Sequence, residues 1–355
     1  MIDETSMMWL RLRARRSSIQ EWSSLRESSS RRKTFAAAMQ QFEEQMTAAE
    51  VVTPATSPLK LYYGLTQAGL AIAAAHAPNP WSFSRHGLKF ELIQTKLQDA
   101  CVRADDHGAF QVIESATGSP MIKGKVTIGP LWASLPDLSS ASPLQGADER
   151  QALRIFTTTR PLVYGIKSVL DGFSSSPFNP SPQITLNLAG VVPDQASHES
   201  WFNEFTSHYP TAKEWQAECH EGPTQDGFNI SLRPPGAPGW DALSDSEWVS
   251  LLDSIAPQYR YRGERYLRPW LEDDGALPPS PLMTWWLLLY SFSMLARYYP
   301  RNWVELLDLD RARESTAIQY ALTLAFSVIP HLILNELDRQ PLLLDRPNSQ
   351  LFPWT

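Results

Sequence analysis

A mainly helical α+β protein is predicted by three features of the chain. Two dense hydrophobic helices share the entrance signal Ser-Pro, at Ser57-Pro58 and Ser280-Pro281; an amphipathic helix precedes the first; and the middle alternates or clusters β-branched residues between many prolines and serines. The helical ends are expected to form one core with the strand-bearing middle inserted between them. The boundaries are a basic, Ser-rich arm over 1–33, an N-terminal helical part over 34–100, a mixed insert over 101–240, a C-terminal helical part over 241–340 and an irregular tail over 341–355.

The arm holds Arg11, Arg13, Arg15, Arg16, Arg26, Arg31, Arg32 and Lys33 against Glu21 and Glu27, and reads as a solvated helix or tether. Within it Arg11, Arg13, Arg15, Arg16, Arg31, Arg32 and Lys33 are candidate phosphate-backbone contacts, because each neutralised phosphate releases counterions. Phe35, Ala38, Met39, Phe42, Met46 and Ala49 then form one helical stripe. In the next helix Ser57 is the expected N-cap and Pro58 the first helical residue, with apolar positions running to about Ala75. Gly64 and Gly69 would let another backbone come close, and the helix after Ser280-Pro281 is expected to be its neighbour in a bundle.

Strands are expected at 109–114, 123–128, 153–158, 183–188 and 227–232, with helices at 196–205 and 212–219. Past the Pro/Gly cluster at 233–239, Ser244 or Asp245 can cap a helix carrying Trp248, Leu251, Leu252 and Ile255. Helices dominate from there to about Leu337, and Pro330 should kink the last of them by removing a backbone donor.

Length and composition bound the function. With 355 residues and 43% hydrophobic content the chain can bury one large core or two ordinary ones. A net charge of -7 argues against a whole-protein footprint for nucleic acid or anionic lipid, leaving only local basic patches. Cys101 and Cys219 lack metal-ligand spacing and read as reduced thiols in a cytoplasmic protein, since no secretory signal is seen at the start. Residues 283–296 are too short to span a membrane and 317–334 carry too many polar residues, so both read as core helices and no membrane is expected.

Glycine-rich phosphate loops, HExxH and GxSxG are missing, so no metal and no cofactor are expected. Arg103 with His107 is too closely spaced for a helical nuclease pair, and Asp105-Asp106 reads as a solvated turn. His86, followed by Gly87, can be presented by a freed backbone as base, acid or anion ligand, with Arg85 beside it, or can be structural. The central anomaly is Arg297. Trp286, Tyr290, Ser293 and Arg297 share one face of an otherwise apolar helix, so a buried guanidinium needs an acceptor. Glu305 and Glu336 are candidates; alternatively a ligand anion is the acceptor, with Tyr62, Tyr63, Gln67 and Tyr290 lining the same cleft.

With these segments in hand, the chain resembles the YaaC-like bacterial proteins. The likeness rests on three pieces: the helix from Phe35 leading to Pro58-Leu59-Lys60-Leu61-Tyr62-Tyr63-Gly64-Leu65, the His86-Gly87 pair, and Leu287 through Tyr290 and Met294-Leu295-Ala296-Arg297-Tyr298 to Trp303. It covers roughly the first 90 and last 80 residues and brings no catalytic assignment. The resemblance implies that the helical ends are the shared core. The leading expectation is a protein that acts by binding, as a subunit of a larger assembly or homo-oligomer, or as a nucleic-acid-associated accessory through the basic arm, in a setting such as antiviral defence. The alternative is a hydrolase, such as a nuclease, with an anion-handling site around His86 and Arg297.

Overall fold

A computed structural model describes residues 4–17, 22–83, 85–92, 96–105, 107–141, 144, 152–157, 182–183, 207–209, 216–220, 229–233, 260–261, 264–271 and 277–339. The chain divides into two compact units, Met1–Gln151 with Trp270–Thr355, and Ala152–Pro269. The expected helix at 244–255, the helix at 196–205 and the tail at 341–355 lie outside the described residues.

The first unit opens with α1 (Glu4–Ser17), α2 (Ser23–Glu27), α3 (Ser29–Glu50) and α4 (Ser57–His76). The buried face of α3 contains Phe35, Ala38, Met39, Phe42, Met46 and Ala49, the stripe its periodicity predicts, and packs on α4 as an antiparallel hairpin. Pro58 sits in the first turn of α4, where its missing N–H costs no hydrogen bond; Thr56 rather than Ser57 flanks the helix. Leu61, Leu65, Ala68, Ile72 and Ala75 are buried along it.

The described residues of the segment 1–33 pack against the helical unit rather than standing off it as an arm. Met8, Leu12 and Leu25 are buried, Trp9 stacks on Phe42 at 5.1 Å, and the Trp22 indole N–H donates to the Leu337 carbonyl at 3.2 Å. The apolar positions between the arginines dock these short helices, which a count of basic residues does not register.

Next come β1 (Leu88–Glu91), β2 (Cys101–Ala104), α5 (Ala109–Thr117), β3 (Lys125–Thr127), α6 (Ile128–Ala133) and α7 (Pro136–Ala141). The strands form an antiparallel sheet in the order β1-β2-β3, with Phe90 opposite Val102 and Val102 opposite Val126. Residues 109–114, expected as a strand, are helical. Gly118 at φ 67 closes that helix, and the Glu114 carboxylate accepts the Ile122 N–H at 3.1 Å.

Three helices complete the unit: α8 (Pro281–Tyr298), α9 (Pro300–Leu306) and α10 (Ser315–Asp338). The Ser280 hydroxyl caps α8 by accepting the Met283 N–H at 3.4 Å, and α8 packs against α4 as its entrance signal implied. Contact is closest at Gly69, where a Cβ would lie 2.5 Å from the Trp286 ring. Pro330 lies inside α10, which continues to Asp338. By length and composition α10 could cross a membrane, its best window reaching a mean hydropathy of 1.7, so its polar residues do not exclude a span; 67% of that window is buried in the structure, as in a core helix.

The C-terminal end of α10 is a junction. The His76 ring N–H at Nε2 donates to the Leu337 carbonyl at 2.9 Å, and Arg15 pairs with Asp338 at 2.8 Å. Burial raises the Glu336 carboxyl to about 7 against the opposing charge of Arg339. A carboxyl raised on folding favours the folded state below its unfolded value near 4.5, and that contribution is lost as pH rises through about 7. Glu336→Gln should therefore flatten the fall in Tm between pH 5 and pH 8 and gain roughly 1–3 kcal/mol over the native chain at pH 8. Parallel Tm curves for the two proteins would contradict this.

In the second unit β4 (Leu153–Thr157), β5 (Pro182–Gln183), β8 (Arg260–Tyr261) and β9 (Glu264–Leu267) form a sheet in the order β5-β4-β9-β8. A separate hairpin pairs β6 (Gln216–His220) with β7 (Asn229–Arg233), Cys219 lying opposite Ile230. The helix expected at 212–219 is thus a strand in its described part, because pairing with β7 supplies the hydrogen bonds that helical propensity would otherwise decide.

Candidate functional site

The most developed polar cluster forms where α4, α8 and the turn before β1 meet. Tyr62 on α4 and Tyr290 on α8 are buried with rings 5.4 Å apart, and the His86 ring completes a triangle at 5.6 Å and 6.0 Å from them. Trp286 meets the Tyr62 ring edge-on at 6.3 Å. The Tyr290 hydroxyl donates to the Leu88 carbonyl at 2.8 Å, tying α8 to the start of β1. His86 itself is exposed, and its Nδ1 lies 3.0 Å from the Tyr62 hydroxyl.

Backbone bonds fix the position of His86. Ala109 and Phe110, at the start of α5, donate to the Arg85 and His86 carbonyls at 2.7 Å and 3.1 Å. The Gly87 carbonyl receives the Asp105 N–H at 2.9 Å and the Gln111 side-chain amide at 2.7 Å. Gly87 has φ 74, and a Cβ on Gly108 would sit 2.4 Å from the Gly87 nitrogen, so two glycines bring the two backbones together. The anomalous helix 109–117 thus finds acceptors for its first free amides in the histidine turn.

The imidazole pKa is lowered, first by burial and then by the nearby charge of Arg297. Burial raises the Tyr62 hydroxyl far above its ordinary value, and raises Tyr290 to about 12 with help from Tyr298 and Asp105. Tyr62 therefore keeps its proton. The Tyr62 hydroxyl shares a hydrogen bond with His86 Nδ1, the Thr66 and Trp286 side chains also face it, and an unmatched buried O–H would cost about 1–3 kcal/mol. With Tyr62 as the donor in that bond, a neutral ring carries its own proton at Nε2, on an exposed side chain.

Arg297 corrects the expectation built on it. Trp286, Tyr290 and Ser293 are buried, but α8 leaves the core in its last turn and Arg297 is exposed. Neither Glu305 nor Glu336 receives it: Glu305 pairs with Arg301 at 3.0 Å, and Glu336 lies on α10. Its guanidinium lies 5.0 Å over the Tyr298 ring, and no carboxylate pairs with it among the described residues.

The other expected site residues divide. Tyr63 is 42% exposed, 6.4 Å from the Tyr62 ring. Arg85 is exposed, and Gln67, half-buried on α4, has no hydrogen bond to the cluster among the described residues. The basic segment is largely engaged within the fold. Arg31 is buried and donates to the carbonyls of Ala73, Ala74 and Ala77 and to Asn79, capping the end of α4, with Trp81 on its face. Arg13 and Arg16 face Glu43, Arg15 holds Asp338, and Arg32 donates to the Leu25 and Arg26 carbonyls. Arg11 and Lys33 are exposed. Among the described residues no group of three or more His, Cys, Asp or Glu could hold a metal.

Sequence reasoning missed Gly108, Gln111 and Tyr298. The second glycine, twenty-one residues after Gly87, was the available signal for the clasp; Tyr298 was legible only as the neighbour of Arg297.

The profile of the YaaC-like protein family matches residues 3–337. The chain belongs to the YaaC-like family. The match extends the resemblance through the strand-bearing middle, beyond the two helical ends that first carried it. No curated protein and no solved structure matches this YaaC-like chain.

Proposed function

We propose that this YaaC-like protein acts by binding, and that the Tyr62–His86–Tyr290 corner with Arg297 is its recognition site for an anionic group. The observation that carries this reading is an exposed imidazole hydrogen-bonded through Nδ1 to a buried tyrosine, which leaves Nε2 outward, within reach of the charge of a guanidinium unpaired with acid among the described residues. A neutral donor beside a permanent cation suits an oxyanion such as phosphate or carboxylate.

Two features favour binding over the hydrolase alternative. A ring nitrogen that already receives the Tyr62 proton is not free to take one from water, and the other nitrogen carries a proton. No carboxylate orients the imidazole among the described residues, in contrast to acid–base triads. A nucleic-acid role resting on the basic segment gains little support, since five of its seven candidate residues are engaged within the fold.

The experiment is titration of the full chain with inorganic phosphate by calorimetry. Arg297→Ala should weaken binding roughly tenfold or more without loss of Tm, and His86→Ala several-fold, on the scale of one charge-assisted hydrogen bond. Unchanged phosphate affinity in both variants would overturn the assignment.

A further inference from the structure

We infer that the ligand of this site is a nucleoside phosphate: a phosphate joined through a sugar to a planar base that stacks on Tyr298. The inference rests on the proposed anion site and adds the chemistry next to it. Arg297 lies with its carbon 5.0 Å from the Tyr298 ring centroid. In such a stack the flat face of the guanidinium meets the ring while its N–H edges remain free to fork an oxyanion. Tyr298 is 59% exposed, which leaves surface for a second planar group.

The spacing selects the ligand class. A ring stacked on the opposite face of Tyr298 adds about 4.5 Å to the guanidinium distance, so the guanidinium carbon and the stacked ring are roughly 9.5 Å apart, and an anion on the guanidinium edge lies no closer. A phosphate bonded directly to an aromatic ring, as in phosphotyrosine, is too short to reach both. A ribose between phosphate and base supplies the missing length. Asp105, the acid that acts on nearby Tyr290, is held by Lys89 at 2.8 Å, so the Arg297 edge is left for the ligand. Tyr63, exposed on the Tyr62 side, offers a further face for a neighbouring base.

Free nucleotide and single-stranded nucleic acid share this chemistry. The test titrates the full chain with inorganic phosphate, ribose 5-phosphate, adenosine monophosphate, phenyl phosphate and a single-stranded oligoadenylate. Adenosine monophosphate should bind roughly tenfold or more tighter than ribose 5-phosphate, the scale of one base–aromatic stack. Tyr298→Leu should erase that difference, and Tyr298→Phe should preserve it. Oligoadenylate binding at least tenfold tighter than the mononucleotide assigns the site to a strand; equal affinity assigns it to the free nucleotide, and either supports the inference. Ribose 5-phosphate binding as tightly as the nucleotide, or phenyl phosphate matching it, would overturn the inference while the anion site stands. Failure of every phosphate compound to bind would remove the anion site as well.

Discussion

Replacing Trp286 by alanine is expected to destabilise the helical unit by about 3–5 kcal/mol, the range for deleting a large buried aromatic side chain. Trp286 is fully buried, its ring fills the space that the absent side chain of Gly69 leaves on α4, and its edge supports the Tyr62 ring. The loss should therefore have two readouts. Denaturant unfolding should show the fall in stability, and phosphate binding should weaken at temperatures where the variant remains folded, because Tyr62 loses the surface that sets its hydroxyl against His86. Gly69→Ala approaches the same contact from the other side. Its Cβ would stand 2.5 Å from two ring atoms, so α4 and α8 must move apart, at a cost of roughly 1–3 kcal/mol. A Trp286→Ala protein with native stability would mean that the α4–α8 contact is not what holds the site.

Arg31→Met is expected to cost about 3–5 kcal/mol, far more than loss of a surface arginine. The substitution keeps the aliphatic stem and removes the guanidinium that serves four acceptors at the end of α4: Ala73 at 3.3 Å, Ala74 at 2.9 Å, Ala77 at 2.9 Å and Asn79 at 2.6 Å. Those carbonyls lie where the helix has no further amides to offer, and the negative end of its dipole favours a cation there. Arg31→Lys should recover only part of the loss, since an ammonium cannot reproduce the planar fork. Thermal unfolding of the three proteins checks the order native, lysine, methionine. Equal Tm values would return Arg31 to the solvated basic surface that the sequence suggested.

The parts of the fold legible in the sequence are those whose signal is local. The α3 stripe from Phe35 to Ala49 and the Ser-Pro entrances of α4 and α8 required only helical periodicity and capping chemistry. At 109–114 Val112 and Ile113 carry strand propensity, whereas the helix there is decided by distant carbonyls in the histidine turn and by a glycine cap at Gly118. The charge of the basic residues at 11–33 suggests a solvated surface, while their packing is decided by Met8, Leu12 and Leu25 beside and between them.

The site was legible in its residues but not in its logic. Gly87 marked His86, and the four-three-four spacing placed Trp286, Tyr290 and Ser293 on one buried face. That spacing does not show where the helix leaves the core, so it predicts a buried Arg297 in need of an acid where the structure places an exposed one. The pairing of Tyr62 with Nδ1, which sets the tautomer, depends on residues 24 apart in sequence and has no local signature.

The most direct test of the central claim is nitrogen-15 NMR of the His86 imidazole at neutral pH, with inorganic phosphate added stepwise. A neutral ring protonated at Nε2, whose Nε2 resonance shifts saturably with phosphate and fails to shift in Arg297→Ala, is the expected result. A ring protonated at Nδ1, or an Nε2 resonance indifferent to phosphate, would contradict the reading of this corner as an anion-recognition site.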